Sequence, residues 1–179
     1  MSARPASAPW PDVWTAEHAF LRYEALRAAL PQAVAGGPPL RAETLGEVAG
    51  GFDAFVLDAF GVLNVGETAI PGAVARVAAL RRLGKRLVVL TNGASLSRAA
   101  ALAKYGRMGF DFAEEEVVAS RDLAAAALGL RPAGWVWAAI TAPGASFEDF
   151  PADVRPLDRD PGLLRRADGF LFLGSEGWT

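Results

Sequence analysis

Asp58 stands where the apolar run Phe55-Val56-Leu57 stops, and Gly61 follows three residues later. A carboxylate at a strand end beside a glycine turn can serve as nucleophile and metal ligand at once. Attack on phosphorus needs in-line approach and a divalent cation to offset charge on the phosphoryl oxygens. Thr91-Asn92-Gly93 ends a second apolar run and offers complementary chemistry. The Thr91 hydroxyl and neighbouring N–H groups can bind those oxygens. Asn92 and Gly93 turn the chain toward a helix, whose N-terminus favours an anion. Plainer roles stand beside each of these. Asp58 could be a turn or N-cap aspartate, and Thr91 could cap the next helix. Asn-Gly is the commonest turn dipeptide. Gly61 could simply permit a tight turn, and Asn64 suits a turn as well as the mouth of a site.

The elements around these residues alternate. Asp53 to Asp58 reads as a buried strand bounded by turn residues. Pro71 suits the first position of a helix, and Ala73, Val77, Leu80 and Gly84 trace its stripe. "RLVVLT" (86–91) reads as a second buried strand, Ser95 to Met108 as a helix, and Ser120 as the cap of another helix running to Leu128. Strand, helix, strand, helix with short connections predicts a parallel α/β sheet with right-handed crossovers. Ligands in such sheets sit beyond the carboxyl ends of the strands, where Asp58 and Thr91 both stand. Upstream, residues 1 to 14 read as a disordered lead and Thr15 to Leu30 as a helix, with Ala16, Ala19, Phe20, Tyr23 and Leu30 on one side. Thr44 and Glu47 have capping-box spacing. Downstream, "AGWVWAAITAPG" and "DGFLFLG" read as strands, with a proline- and charge-rich loop between them.

With 179 residues, 52% hydrophobic and 21% charged, the chain is expected to fold around a core. A net charge of −2 offers no basic field for nucleic acid or an anionic membrane. Cysteine is absent, which removes disulfides and thiolate chemistry and fits a reducing compartment. The lone histidine, His18, excludes a multi-histidine metal site and is expected at the surface or in packing. The N-terminus lacks a signal-peptide core, and no apolar segment approaches the ~18 residues of a membrane span. A cytoplasmic protein is expected. Trp135, Trp137 and Trp178 are expected to pack rather than bind ligand. Glu114-Glu115-Glu116 reads as a solvated face, and the Arg pairs at 81–82 and 165–166 are too short for a nucleic-acid patch.

"LDAFGVL" together with "LTNGASLSR" resembles motifs I and II of the haloacid dehalogenase-like phosphohydrolases. More narrowly it is similar to the capped subclass IIA, which includes nitrophenyl-phosphatase-like and pyridoxal-phosphatase-like enzymes. The interval from Thr91-Asn92 to Ser97-Arg98 and the rhythm of "PGAVARVAALRRLGKRLVVLTN" carry the likeness. The resemblance implies a doubly wound, Rossmannoid parallel-sheet core, of which this chain holds the N-terminal half, plus part of an α/β cap. The implied divisions are 1–43 as lead and helix, 44–130 as half-core, and 131–179 as the start of an incomplete cap. It implies a Mg²⁺-dependent phosphomonoester hydrolase of small phosphorylated metabolites. Asp58 would be the nucleophile, becoming an aspartyl-phosphate, and a metal ligand. Phe60 would give the metal its backbone carbonyl, Thr91, Asn92 and Gly93 would bind phosphate, and Gly61 would support the loop. Ser97 and Arg98 would at most support that loop.

Two departures from the family pattern matter. Phe60 occupies the position of a second aspartate that usually protonates the leaving group and later activates water. Its loss removes help worth ~10²–10⁴-fold, although some branches carry an aromatic there. The family's later lysine and acidic metal-binding pair have no counterpart, so the sequence is expected to be truncated within the cap. A competing expectation is a non-catalytic remnant or interaction module with weak phosphate affinity. The exposed apolar edges of a half-built sheet would favour self-association. No G-x-G-x-x-G turn, P-loop or receiver-type acidic pair supports the other doubly wound classes.

Overall fold

The computed structural model describes residues 15–32, 36–39 and 41–176; the expected lead (1–14) and Trp178 lie outside the described residues. The chain divides into two compact units, Met1–Arg41 and Ala42–Thr179. In the first, α1 (Ala16–Leu26) continues into a 3₁₀ turn, Arg27–Ala29, which matches the expected helix. Thr15 caps it, its Oγ1 accepting from the His18 N–H at 3.2 Å while His18 Nδ1 accepts from the Thr15 N–H at 3.4 Å. Phe20 and Tyr23 on the expected stripe are exposed.

The second unit opens with α2 (Leu45–Val48). The Thr44–Glu47 spacing does not close a reciprocal capping box. The Thr44 hydroxyl donates to the Glu47 carboxylate, whose other oxygen accepts from the Glu43 N–H instead of from Thr44. Next come β1 (Ala54–Leu57), a hairpin of β2 (Asn64–Val65) and β3 (Thr68–Ala69), α3 (Ala73–Arg82), β4 (Arg86–Thr91), α4 (Arg98–Arg107), β5 (Val117–Ala119) and α5 (Ser120–Gly129). Pro71 falls two residues before α3 and not at its first position. Gly72 between them is left-handed (φ 84°), a conformation that no residue inside the helix could take.

The first sheet runs β1-β4-β5, all parallel, with Leu57 opposite Val89 and Thr91 opposite Ala119. The strands advance in one direction across the sheet, so right-handed crossovers place α3 and α4 on the same face. There Phe55, Leu57, Leu87, Val89 and Val117 pack against Val77 and Leu80 of α3 and Tyr105 of α4. β1 and β4 are therefore buried on one side only, not on both as their apolar runs predict. Val56 is 65% exposed and Leu90 51% on the opposite face. Arg81 of α3 clamps this layer to the turn before β5, donating to Glu116 at 2.7 Å and to Asp111 at 3.1 Å. Glu116 is thus an ion-pair partner and not part of a solvated face; hydrogen bonds from Arg81 hold its carboxyl below the ordinary value.

A second parallel sheet follows: β6 (Val136–Ile140), β7 (Asp153–Pro156) and β8 (Gly169–Phe172), in the order β7-β6-β8, with α6 (Leu163–Arg166) before β8. The stretch expected as loop therefore contains a strand and a helical turn. β7 is an edge strand, where Pro156 can end it without costing a ladder bond, and Val154 turns into the core. Trp135 and Trp137 pack against each other at 5.7 Å between centroids. Among the described residues no helix is long and apolar enough to cross a membrane.

Candidate active site

Leu57 pairs with Val89, so Asp58 and Thr91 leave the same sheet edge on neighbouring strands. There a cleft of about 620 Å³ is lined by Asp58, Phe60, Asn64, Thr91, Asn92 and Gly93, among others. The structure thus brings together every residue that the sequence nominated for chemistry. Gly61 stands outside the lining. It holds a left-handed conformation (φ 83°) that turns the chain after Asp58.

The loop after β1 is closed by its own backbone. The Ala59 carbonyl accepts from the N–H groups of Leu63 (2.8 Å) and Asn64 (3.1 Å), and the Gly61 N–H donates to the Asn64 carbonyl at 2.9 Å. The Asp58 side chain is exposed to the cleft, with Oδ1 accepting from the Ala59 N–H at 2.7 Å. These turn bonds do not use the Phe60 carbonyl. Asn64 is 4% exposed; its amide donates to the Gly66 carbonyl, while Oδ1 meets no donor among the described residues.

The loop after β4 is built differently. Thr91 Oγ1 accepts from the Gly93 N–H at 3.1 Å, a local turn that gathers the hydroxyl and the backbone amides. Thr91 does not cap α4. Ser97 does so, its Oγ accepting from the Ala100 N–H at 3.3 Å, and the helix begins at Arg98, later than expected. Arg98 pairs with Asp122 at 2.9 Å and so ties α4 to α5. Nor does Ser120 cap α5. Ala119 holds the cap position, with Asp122 accepting its N–H, and Ser120 Oγ instead donates to the Asn92 carbonyl at 2.9 Å.

Sequence reasoning missed three contributors. Ser120 and Arg121 reach the loop after β4 from the start of α5, and recognition of β5 beside β4 would have placed them at the ligand edge. Tyr105 lines the cleft from α4. Burial pushes its hydroxyl above the ordinary value, and the charge of Asp58 adds to that push.

Asp58 and Phe60 both line the cleft, and a carboxylate and a backbone carbonyl are oxygen donors of the kind that a hard cation such as Mg²⁺ takes when phosphate oxygens and water complete its shell. Among the described residues no cluster of three or more His, Asp or Glu side chains could hold a metal.

Residues 55–147 match the sequence profile of the haloacid dehalogenase-like hydrolases. The chain belongs to that family. Human glycerol-3-phosphate phosphatase is 50% identical over 58 residues, which is 32% of this chain and 18% of that protein. The rat protein of the same name is 41% identical over 86 residues, 45% of this chain and 27% of that one. These matches therefore span less than a third of the relatives' length. Among solved structures, a possible sugar phosphatase of Cytophaga hutchinsonii superposes on 79% of this chain and 51% of its own (TM-score 0.67, 19% identity) and shares the fold. A Mycobacterium tuberculosis glycerol phosphate phosphatase in complex with magnesium covers 70% of this chain and 36% of its own (TM-score 0.52, 26% identity). The haloacid dehalogenase-like match runs from β1 through the turn after β6, so it includes both loops of the cleft.

Proposed function

We propose that this chain carries the phosphoryl-transfer centre of a Mg²⁺-dependent phosphomonoester hydrolase. The observation that carries the reading is the convergence of Asp58 and Thr91-Asn92-Gly93 on one cleft at the carboxyl edge of the sheet. A carboxylate oxygen of Asp58 attacks phosphorus, the phosphorus–oxygen bond to the leaving alcohol breaks, and an aspartyl-phosphate forms on Asp58. Thr91 Oγ1 and the amide of Asn92 hold the transferring oxygens, and the Gly93 amide joins them by giving up its bond to Thr91 Oγ1. Water then attacks phosphorus, releasing phosphate and restoring the carboxylate. Phe60 can neither protonate the leaving oxygen nor activate that water, so both proton transfers proceed without a carboxylate at that position. When bound by Asp58 and the Phe60 carbonyl, Mg²⁺ offsets charge on the phosphoryl oxygens.

The substrate class is a small phosphorylated metabolite, and the glycerol-3-phosphate phosphatases among the relatives support that choice. In this reading 1–43 is a lead and helix, 44–130 half of a core, and 131–179 the first part of a cap over the leaving group. The place of action is the cytoplasm, without nucleic acid or membrane as partner. Second copies associate through the uncovered sheet face around Val56 and Leu90. Sedimentation that gives a monomer at every concentration contradicts this last element.

A second reading, a non-catalytic remnant with weak phosphate affinity, is favoured by Phe60, a residue 69% exposed where the family usually carries a carboxylate. Hydrolysis of p-nitrophenyl phosphate with Mg²⁺ separates the two. The enzyme reading expects turnover that Asp58→Asn abolishes, and turnover indifferent to that change contradicts it.

A further inference from the structure

Arg121 is 1% exposed, and its guanidinium is spent entirely on partners that neither sheet supplies. Nε and one terminal nitrogen grip Asp149 in a fork, both at 2.6 Å. The other terminal nitrogen donates to the carbonyls of Ala94 at 3.0 Å and Ser95 at 3.5 Å, and the Ser146 carbonyl completes the set. Phe150 stacks beneath the cation at 4.7 Å. A single side chain from α5 therefore joins the loop after β4 to the loop after β6.

The direction of the two loop carbonyls has a consequence. In a planar trans peptide, C=O and the following N–H point opposite ways. Drawing the Ala94 and Ser95 carbonyls toward Arg121 aims the N–H groups of Ser95 and Leu96 away from it. Both residues line the cleft, and neither N–H meets an acceptor within the described chain. Ala94 itself is buried with Leu128, Ala139 and Phe150, so the loop cannot rotate without disturbing that packing.

We propose that Arg121 is a positioning residue that fixes the donor face of the 92–96 loop toward an oxyanion and couples it to the segment 146–149. The proposal rests on the phosphate-binding reading of the Thr91 loop. Arginine suits the place because its planar fork gives Asp149 two parallel bonds and still donates to the carbonyls, more contacts than the donors of an ammonium can make. Asp149 sets the fork from the far side, and hydrogen bonds from Arg121 hold its carboxyl below the ordinary value.

The test uses the full chain with inorganic phosphate and Mg²⁺ as the probe, and compares wild type with Arg121→Lys, Arg121→Met and Asp149→Asn. Calorimetry gives the phosphate dissociation constant, and ¹⁵N spectra give the amide shifts of Gly93, Ser95 and Leu96 in the folded fraction. The expected order of weakening is Asp149→Asn, then Arg121→Lys, then Arg121→Met, the last by about tenfold or more, as for the loss of one or two oriented donors. The Ser95 and Leu96 amides are expected to shift in the same order. Asp149→Asn keeps the cation and its carbonyl contacts, so it reports even if Arg121→Met unfolds. Equal phosphate affinity and unmoved amides in the folded variants overturn the proposal, whatever their melting temperatures. A wild type without phosphate affinity overturns both this proposal and the reading beneath it.

Discussion

The two loops that meet at the cleft are held in opposite ways. The loop after β1 is self-contained: Ala59, Gly61, Leu63 and Asn64 bond one another, and Gly61 supplies the left-handed turn. The loop after β4 has a local turn at Thr91–Gly93, but its carbonyls at Asn92, Ala94 and Ser95 are held by Ser120 and Arg121, 26 to 28 residues away. Ser95 Oγ also donates to the Leu173 carbonyl, 78 residues distant. Asp58, the proposed nucleophile, thus sits on a pre-formed local turn, while the proposed oxyanion side is set by tertiary contacts. Changes in the first loop should act on chemistry and local strain. Changes to the supports of the second should act on binding.

The largest expected effect is a gain. Phe60→Asp restores a proton-transfer group on the self-contained loop and should raise phosphomonoesterase turnover by ~10²–10⁴-fold; steady-state rates across pH check it, with a new ionisation on the rising limb. Thr91→Ala removes one oxyanion donor and should lower kcat by about 10²–10³-fold, more than any single change in the remote supports. Gly61→Ala should cost about 1–2 kcal/mol of stability, read by urea unfolding. A Cβ there meets no atom of the described residues within 4 Å, so the cost is conformational. Ser120→Ala should cost about 0.5–1 kcal/mol and weaken phosphate binding without touching the turn at Ala59.

The smallest effect is one of pH. The Asp149 carboxyl is held below its ordinary 3.8, chiefly by hydrogen bonds from Arg121. A depressed acid stabilises the fold above its unfolded value and loses that contribution as pH falls through the folded one. Acidification below about 3.8 should therefore release the 92–96 loop before the 59–64 turn. An NMR titration in which the Gly61 and Leu63 amides move first contradicts this order of release.

The same division governs what could be read from residue order. β1, α3, β4 and α4 announce themselves through apolar runs and stripes, and Asp58, Gly61 and Thr91-Asn92-Gly93 through strand ends and turn chemistry. What escaped has physical reasons. β5 is three residues long and the β2–β3 hairpin has two residues per strand, too short for any periodicity. β7 lies among prolines and charges and owes its place to pairing with β6. The uncovered face of β1 follows from the direction of winding, which hydrophobicity does not encode. Ser120 looked like a cap because its neighbours are helical, and only the fold brings its hydroxyl to Asn92. Arg121 gave no local signal, since its partners lie 25 to 28 residues away.

The central claim is that Asp58 accepts the phosphoryl group. Acid-quenched mass spectrometry of the chain after mixing with p-nitrophenyl phosphate and Mg²⁺ tests it most directly. Because Phe60 cannot activate water, the acyl phosphate should persist, and the peptide carrying Asp58 should gain the mass of one phosphoryl group that Asp58→Asn prevents. Nitrophenol release with no such gain at Asp58, or a gain at another residue, contradicts the account.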